Sequence, residues 1–135
     1  MNVIKNPDHL SSAIIYRQEI SIMTAIKNSG KYILPVPGGF KCCLPDDILY
    51  IHSESNYSEC FFKDGTKLLL SKTLKNIEDQ LPNHHFFRVH RSFVINALHI
   101  MNVQINTDES YLTLTGNLTI PISREKRKLF SVGTL

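Results

Sequence analysis

Apolar and polar positions follow one period before Gly30 and another after it. From Asp8 to Ser29 there is no Pro or Gly. Ile15, Ile22 and Ile26 fall on one helical stripe there, with Leu10 and Ile14 offset from it. Asn6-Pro7-Asp8 supplies a capping residue, a proline for the first helical position and an acid for the first turn, and Gly30 supplies a stop. This predicts a helical N-terminal extension over residues 1–30, which could dock on its own domain, pair with a second copy, or be the remnant of an upstream domain and its linker.

After Gly30 the texture changes to short β-type runs between turn residues. Runs 32–36 and 40–44 flank Pro37-Gly38-Gly39, and Asp46-Asp47 leads into 48–51. Runs 57–63 and 66–70 flank Asp64-Gly65, and 111–115 and 118–122 flank Gly116-Asn117. Residues 52–56 read as a polar, turn-prone link. A single short helix is expected after Ser71 or Thr73, with Leu74, Ile77 and Leu81 as its apolar stripe and Pro82 as its end. In the stretch 86–96, Val89, Phe93 and Ile95 share one strand face, while Arg88, His90 and Ser92 share the other. Arg91 falls on the apolar parity. An unpaired guanidinium does not stay in a core, so the chain should turn or bulge near residues 90–92 and push Arg91 outward. A further strand is expected at 100–105. The fold class is mainly antiparallel β with one short inserted helix.

At 135 residues the chain suits one domain. The formal net charge of +3 permits a nucleic-acid partner without demanding one. No stretch is long and apolar enough to span a bilayer, and the N-terminus lacks a signal-peptide pattern, so the reading is cytoplasmic with no membrane partner. Cys42, Cys43 and Cys60 are odd in number, and the first two would face opposite ways in a strand. They read as reduced, buried thiols.

Little in the sequence supports catalysis. His84, His85 and His90 lack the spacing of a zinc motif, and His9, His52 and His99 are isolated. Ser92 beside His90 has no nucleophile elbow, and there is no phosphate-binding glycine loop. Asp46-Asp47 reads as a turn-former that caps backbone amides. The chain is therefore expected to be no enzyme and to need no cofactor or metal.

The cations are more informative. Arg88 and Arg91 lie in one segment, Arg124, Lys126, Arg127 and Lys128 in another, and Lys63, Lys67, Lys72 and Lys75 around the central hairpin and helix. Taken singly, they could merely solvate an edge strand and a surface. Their placement at strand ends and turns favours nucleic acid, because loops on a rigid sheet can carry Arg to base edges and Lys to phosphates. Single-stranded nucleic acid would want exposed aromatics, and the strand positions of Tyr50, Tyr57, Phe61 and Phe62 place most of these in the core.

Several ordered landmarks resemble those of the LytTR DNA-binding domain. They are Asp47-Ile48-Leu49-Tyr50-Ile51, Ser55-Asn56-Tyr57-Ser58, Asp64-Gly65, Thr73-Leu74-Lys75 through Leu81-Pro82, the segment Phe87 to Asn96, and Ile120-Pro121-Ile122-Ser123-Arg124. The resemblance covers about residues 31–129. It implies roughly ten strands in three small antiparallel sheets, in a bacterial transcription regulator of the two-component, response-regulator kind. It also implies that loops enter successive major grooves of a direct-repeat site and bend the DNA. Carried over by motif, the three loops are Asn56-Tyr57-Ser58, His90-Arg91-Ser92, and Ser123-Arg124 with the basic run after it. Domain boundaries follow as 1–30, 31–130 and a tail at 131–135.

The residues expected at double-stranded DNA are Asn56, Ser58, Lys72, Lys75, Arg88, His90, Arg91, Arg124, Lys126 and Arg127. Arg91 and Arg124 are the expected base readers. Asn56 and Ser58 offer shorter-range hydrogen bonds. Arg88, Lys72, Lys75, Lys126 and Arg127 are assigned to phosphates, and His90 either meets DNA or braces its own loop. The further partners considered are a second copy, as a homodimer, and an upstream receiver domain or sensor kinase. The alternative function is a non-catalytic β interaction module that dimerises through the N-terminal helix.

Overall fold

In the computed structural model, which describes residues 21–81 and 84–131, turn chemistry divides the chain after Gly30 into ten short strands. They are β1 (Tyr32–Val36), β2 (Gly39–Cys43), β3 (Ile48–Glu54), β4 (Tyr57–Phe62), β5 (Lys67–Leu70), β6 (Phe86–His90), β7 (Phe93–Asn96), β8 (Ile100–Gln104), β9 (Ser110–Leu114) and β10 (Leu118–Ile122). All strand pairs are antiparallel. They form a two-stranded β1-β2 sheet, a five-stranded sheet in the order β5-β4-β3-β7-β6, and a three-stranded sheet in the order β10-β9-β8.

The turns explain the cuts. Gly116 and Asn117 both take positive φ, at 88° and 62°, the pair of values that lets a two-residue turn match the twist of its strands. At Asp64-Gly65 the Asp64 carboxylate accepts from the Thr66 backbone N–H (2.9 Å) and hydroxyl (2.6 Å). The link expected at 52–56 is shorter than that. β3 runs on through Glu54, and Ser55 adopts φ 55° in a two-residue turn with Asn56. A serine in left-handed backbone carries no glycine signature, so the hairpin was hidden in the sequence.

Both faces of the central sheet are covered. On one side Ile48, Ile51, Cys60, Leu70 and Val94 pack with Leu34 and Cys43 of the small hairpin and with Leu74, Ile77 and Leu81 around the inserted helix (Leu74–Gln80). On the other, Leu49, Val89 and Ile95 pack with Leu112, Leu114, Ile120 and Ile122 of the three-stranded sheet. Val89, Phe93 and Ile95 do share a face, as their spacing predicts, but Val94 is equally buried because its strand lies inside the sheet. Thr73 caps the helix, its hydroxyl accepting from the Asn76 N–H at 3.4 Å, and Leu81 closes it. Pro82 and residues 1–20 lie outside the described residues, so most of the expected N-terminal helix does too; residues 21–28 are helical and Ile22 is exposed.

Two buried polar choices complete the frame. Asn96, with no exposed surface, donates from its amide to the Pro45 and Ile48 carbonyls (both 2.9 Å) and accepts from the Leu98 N–H (3.0 Å). It thereby satisfies a strand end that would otherwise be left unpaired inside the protein. Asp46 and Asp47 do not cap amides as expected. Their carboxylates face the Lys63 ammonium at 2.7 and 3.7 Å, because the Pro45–Asp47 turn points them toward the β4–β5 hairpin. The three cysteines are free; Cys43 and Cys60 are buried, while Cys42 on the opposite face is only half-buried. Burial pushes the Cys43 thiol up to about 11. No helix among the described residues is long and apolar enough to cross a membrane.

Candidate nucleic-acid interface

Backbone hydrogen bonds bring the three candidate loops to one side of the fold. The Ser53 N–H of β3, just before the Ser55-Asn56 turn, donates to the Ser92 carbonyl in the β6–β7 turn (2.9 Å). The Ser123 N–H, just after β10, donates to the Val89 carbonyl of β6 (2.9 Å). The β6–β7 turn is thus stitched to one loop from each side. A third link comes from Ser58, whose hydroxyl donates to the Lys72 carbonyl (3.0 Å) and draws the approach to the inserted helix against the start of β4.

The turn itself follows the expected break in pattern. The register shifts between Arg88 and His90, one residue before the position where the parity fails, and the chain reverses at Arg91-Ser92. Arg91 is exposed. His90 is half-buried, its ring 5.6 Å edge-on from Phe93, and its Nδ1 accepts the Ser92 N–H at 3.1 Å. Desolvation first, and then the positive charges of Arg91 and Arg88, hold its pKa below the ordinary value. The neutral ring therefore carries its proton on Nε2 and braces the turn through Nδ1.

The ten expected residues separate by what already holds them. Asn56, Lys72, Arg91 and Arg124 are exposed, and among the described residues none of these three cations has a carboxylate within ion-pair distance. Lys126 is half-buried and equally unpaired. Lys75 is exposed but shares its charge with Asp79 one helical turn on (3.4 Å). Three residues need correction. Ser58 is fully buried with its hydroxyl engaged, because it shares strand parity with Cys60 and Phe62, so it has no surface to offer a base. Arg88 is turned inward onto Glu78 and the His90 and Arg91 carbonyls, and Arg127 reaches the Thr107 and Asp108 carbonyls at 3.4 and 3.3 Å, so both act first as internal ties.

Two residues beside these loops lie outside the ten expected at DNA, although Lys128 belongs to the basic run after Arg124. His52 stacks on Phe93 at 4.6 Å and faces Glu54 at 3.2 Å, immediately before the Ser55-Asn56 turn. Lys128 is exposed on the 3-10 segment Arg124–Phe130. For His52 the available signal was its alternation within β3, once that strand is run to its true end. Among the aromatics, Tyr50 stacks on Phe61 and Phe62 is buried, but Tyr57 stands 42% exposed at the same edge. Among the described residues no group of three His, Cys, Asp or Glu could hold a metal ion.

Comparison with known proteins agrees with this architecture. A family model described as the LytTr DNA-binding domain matches residues 39–132. The sensory transduction protein LytT of Bacillus subtilis (strain 168) is 33% identical over 104 residues, covering 75% of this chain and 43% of that protein. The LytT protein of Enterococcus faecalis (strain ATCC 700802 / V583) is 30% identical over 116 residues, covering 84% of this chain and 48% of that protein. The chain thus spans less than half the length of these curated relatives. A solved LytTr DNA-binding domain from Bacillus cereus superposes with a TM-score of 0.63 at 20% identity, over 75% of this chain and 93% of its own, which shows the shared fold.

Proposed function

The chain belongs to the LytTR DNA-binding domain family, and on that premise we propose that it binds double-stranded DNA sequence-specifically, as the DNA-reading part of a bacterial transcriptional regulator in the cytoplasm. The observation that carries the reading is the stitched cluster of turns, with Arg91 and Arg124 exposed and unpaired on neighbouring loops. A guanidinium can bridge the two acceptors on a guanine edge in the major groove, so these two are the base readers. Lys72, Lys75 and Lys126 sit around them as phosphate contacts, and Lys128 joins them. Asn56 can add a hydrogen bond to a base or to the backbone. A direct-repeat site, with the loops in successive major grooves, fits loops that leave one side of a rigid sheet. The reading assigns no reaction to the chain. We propose that it acts in two-component signalling, downstream of a receiver domain or a sensor kinase; the relatives named for sensory transduction support that reading.

The test is a titration of the purified chain with duplex selected from a random pool, random duplex, and random single strand. The reading expects selected duplex to bind at least about a thousandfold more tightly than random duplex, as specific regulators do. Equal affinity for all three, or a preference for single strand, would overturn it.

We place the DNA-binding domain at residues 31–130, although the family model begins at 39. β1 lies before that point, yet its Leu34 is only 1% exposed in the core. Removing residues 1–29 should leave the selected sequence unchanged, because the helical residues 21–28 are mostly exposed and bring only Lys27 as a cation. The same deletion should weaken binding to paired half-sites if that segment joins two copies in a homodimer. Selection with the shortened chain checks both points, and an altered preferred sequence would show the boundary to be misplaced.

A further inference from the structure

Arg88 lies just before the β6–β7 turn of the interface, yet its side chain is only 21% exposed and each of its three nitrogens is engaged inward. Nε donates to the His90 carbonyl at 3.1 Å, and Nη2 donates to the Arg91 carbonyl. Nη1 meets the Glu78 carboxylate of the inserted helix at 3.0 Å. The two carbonyls belong to the peptide groups on either side of the Arg91 Cα. Fixing both peptide planes fixes φ and ψ between them, and hence the direction in which the Arg91 side chain leaves the turn. The planar guanidinium suits this task, since its donors are held in a rigid fork that a lysine ammonium lacks.

We infer that Arg88 is a positioning residue for Arg91: it aims the base-reading side chain, and Glu78 holds it to that task by neutralising its charge. The inference rests on the base-reading role proposed for Arg91. The geometry around it agrees. The Ser92 N–H to His90 Nδ1 bond and the Ser53 N–H to Ser92 carbonyl bond restrain the following peptide, so Arg91 is the one long side chain of the turn left free to reach outward. Such support by a shell of fixed groups is what a recognition residue needs when a displacement of about 1 Å would lose its contact.

Glu78→Ala gives the sharpest test, because simple electrostatics predicts the opposite sign. Removing a carboxylate near a DNA-binding surface, and freeing an arginine for phosphates, should tighten binding to every duplex. The positioning role instead predicts weaker binding to the selected duplex while random-duplex affinity holds or rises. The ratio of the two should fall at least about fivefold, the lower end of what one bidentate base contact discriminates. Arg88→Lys should lower the same ratio with the salt slope unchanged, and neither variant should change the ratio further in an Arg91→Ala background.

Thermal unfolding of each full-length variant shows whether it is folded. Should Arg88→Lys not fold, Glu78→Ala alone carries the test, since its side chain is 37% exposed. A fall in selected and random affinities together, a flatter salt slope for Arg88→Lys, or an undiminished effect in the Arg91→Ala background would each overturn the inference. Arg91→Ala alone judges the base-reading role: if that variant keeps full discrimination, that role fails and the positioning role fails with it. Loss of discrimination in Arg91→Ala but not in Glu78→Ala or Arg88→Lys would overturn the positioning role only.

Discussion

Affinity for duplex DNA should fall about 150-fold between 50 and 200 mM salt. Each phosphate neutralised by a protein cation releases condensed counterions, and log affinity falls with log salt by about 0.9 per contact on B-DNA. Lys72, Lys75, Lys126 and Lys128, the cations assigned to phosphates, stand around the three turns, which gives a slope of about −3.6. The small net charge of +3 makes the expectation demanding, since a protein so nearly neutral would not bind DNA by bulk charge alone. Three cations elsewhere are occupied: Lys63 by Asp46 and Asp47, Lys67 by Glu59 and Arg88 by Glu78. A filter-binding or fluorescence titration across that salt range checks the slope, and an affinity indifferent to salt would contradict a phosphate-facing surface.

The parts of the fold that could be read in the sequence are those coded locally. Asp64-Gly65 and Gly116-Asn117 announce their turns because few residue pairs tolerate that backbone, and the runs on either side alternate cleanly enough to place the strands. The Ser55-Asn56 turn escaped because serine at positive φ is held there by the pairing of β3 with β4, which is a property of the hairpin and not of the residue. Strand order was out of reach for a similar reason. β3 pairs with β7 across more than forty residues, and nothing local distinguishes that neighbour from β6 or β5.

The candidate site divides along the same line. The broken parity at Arg91 was visible and correctly implied a reversal of the chain. The burial of Ser58 was also legible, since Ser58, Cys60 and Phe62 share a strand face. By contrast, whether a given cation faces solvent or ties two segments together depends on partners far along the chain. Arg88 meets Glu78 ten residues upstream, and Arg127 meets the β8–β9 turn some twenty residues upstream. Residue type cannot separate these two from Arg91 and Arg124; only tertiary contact does.

The central claim is that Arg91 and Arg124 read bases while neighbouring lysines hold phosphates. A bidentate guanidinium–guanine contact is worth about 1–3 kcal/mol of discrimination, whereas a phosphate contact does not distinguish sequences. The two arginines leave different loops, separated in the chain but stitched through the Val89–Ser123 hydrogen bond, so each should contribute at its own base position. The direct measurement is the affinity of Arg91→Ala, Arg124→Ala and Lys126→Ala for the selected duplex and for random duplex, each variant first shown to unfold at a temperature close to that of the parent chain. Arg91→Ala and Arg124→Ala should each weaken the selected duplex by about 1–3 kcal/mol more than random duplex, and each should relax the preference at one base position. Lys126→Ala should weaken both duplexes by the same factor and flatten the salt slope by about one. Equal losses on selected and random DNA for the two arginine variants would contradict the claim and move both residues to the phosphate contacts.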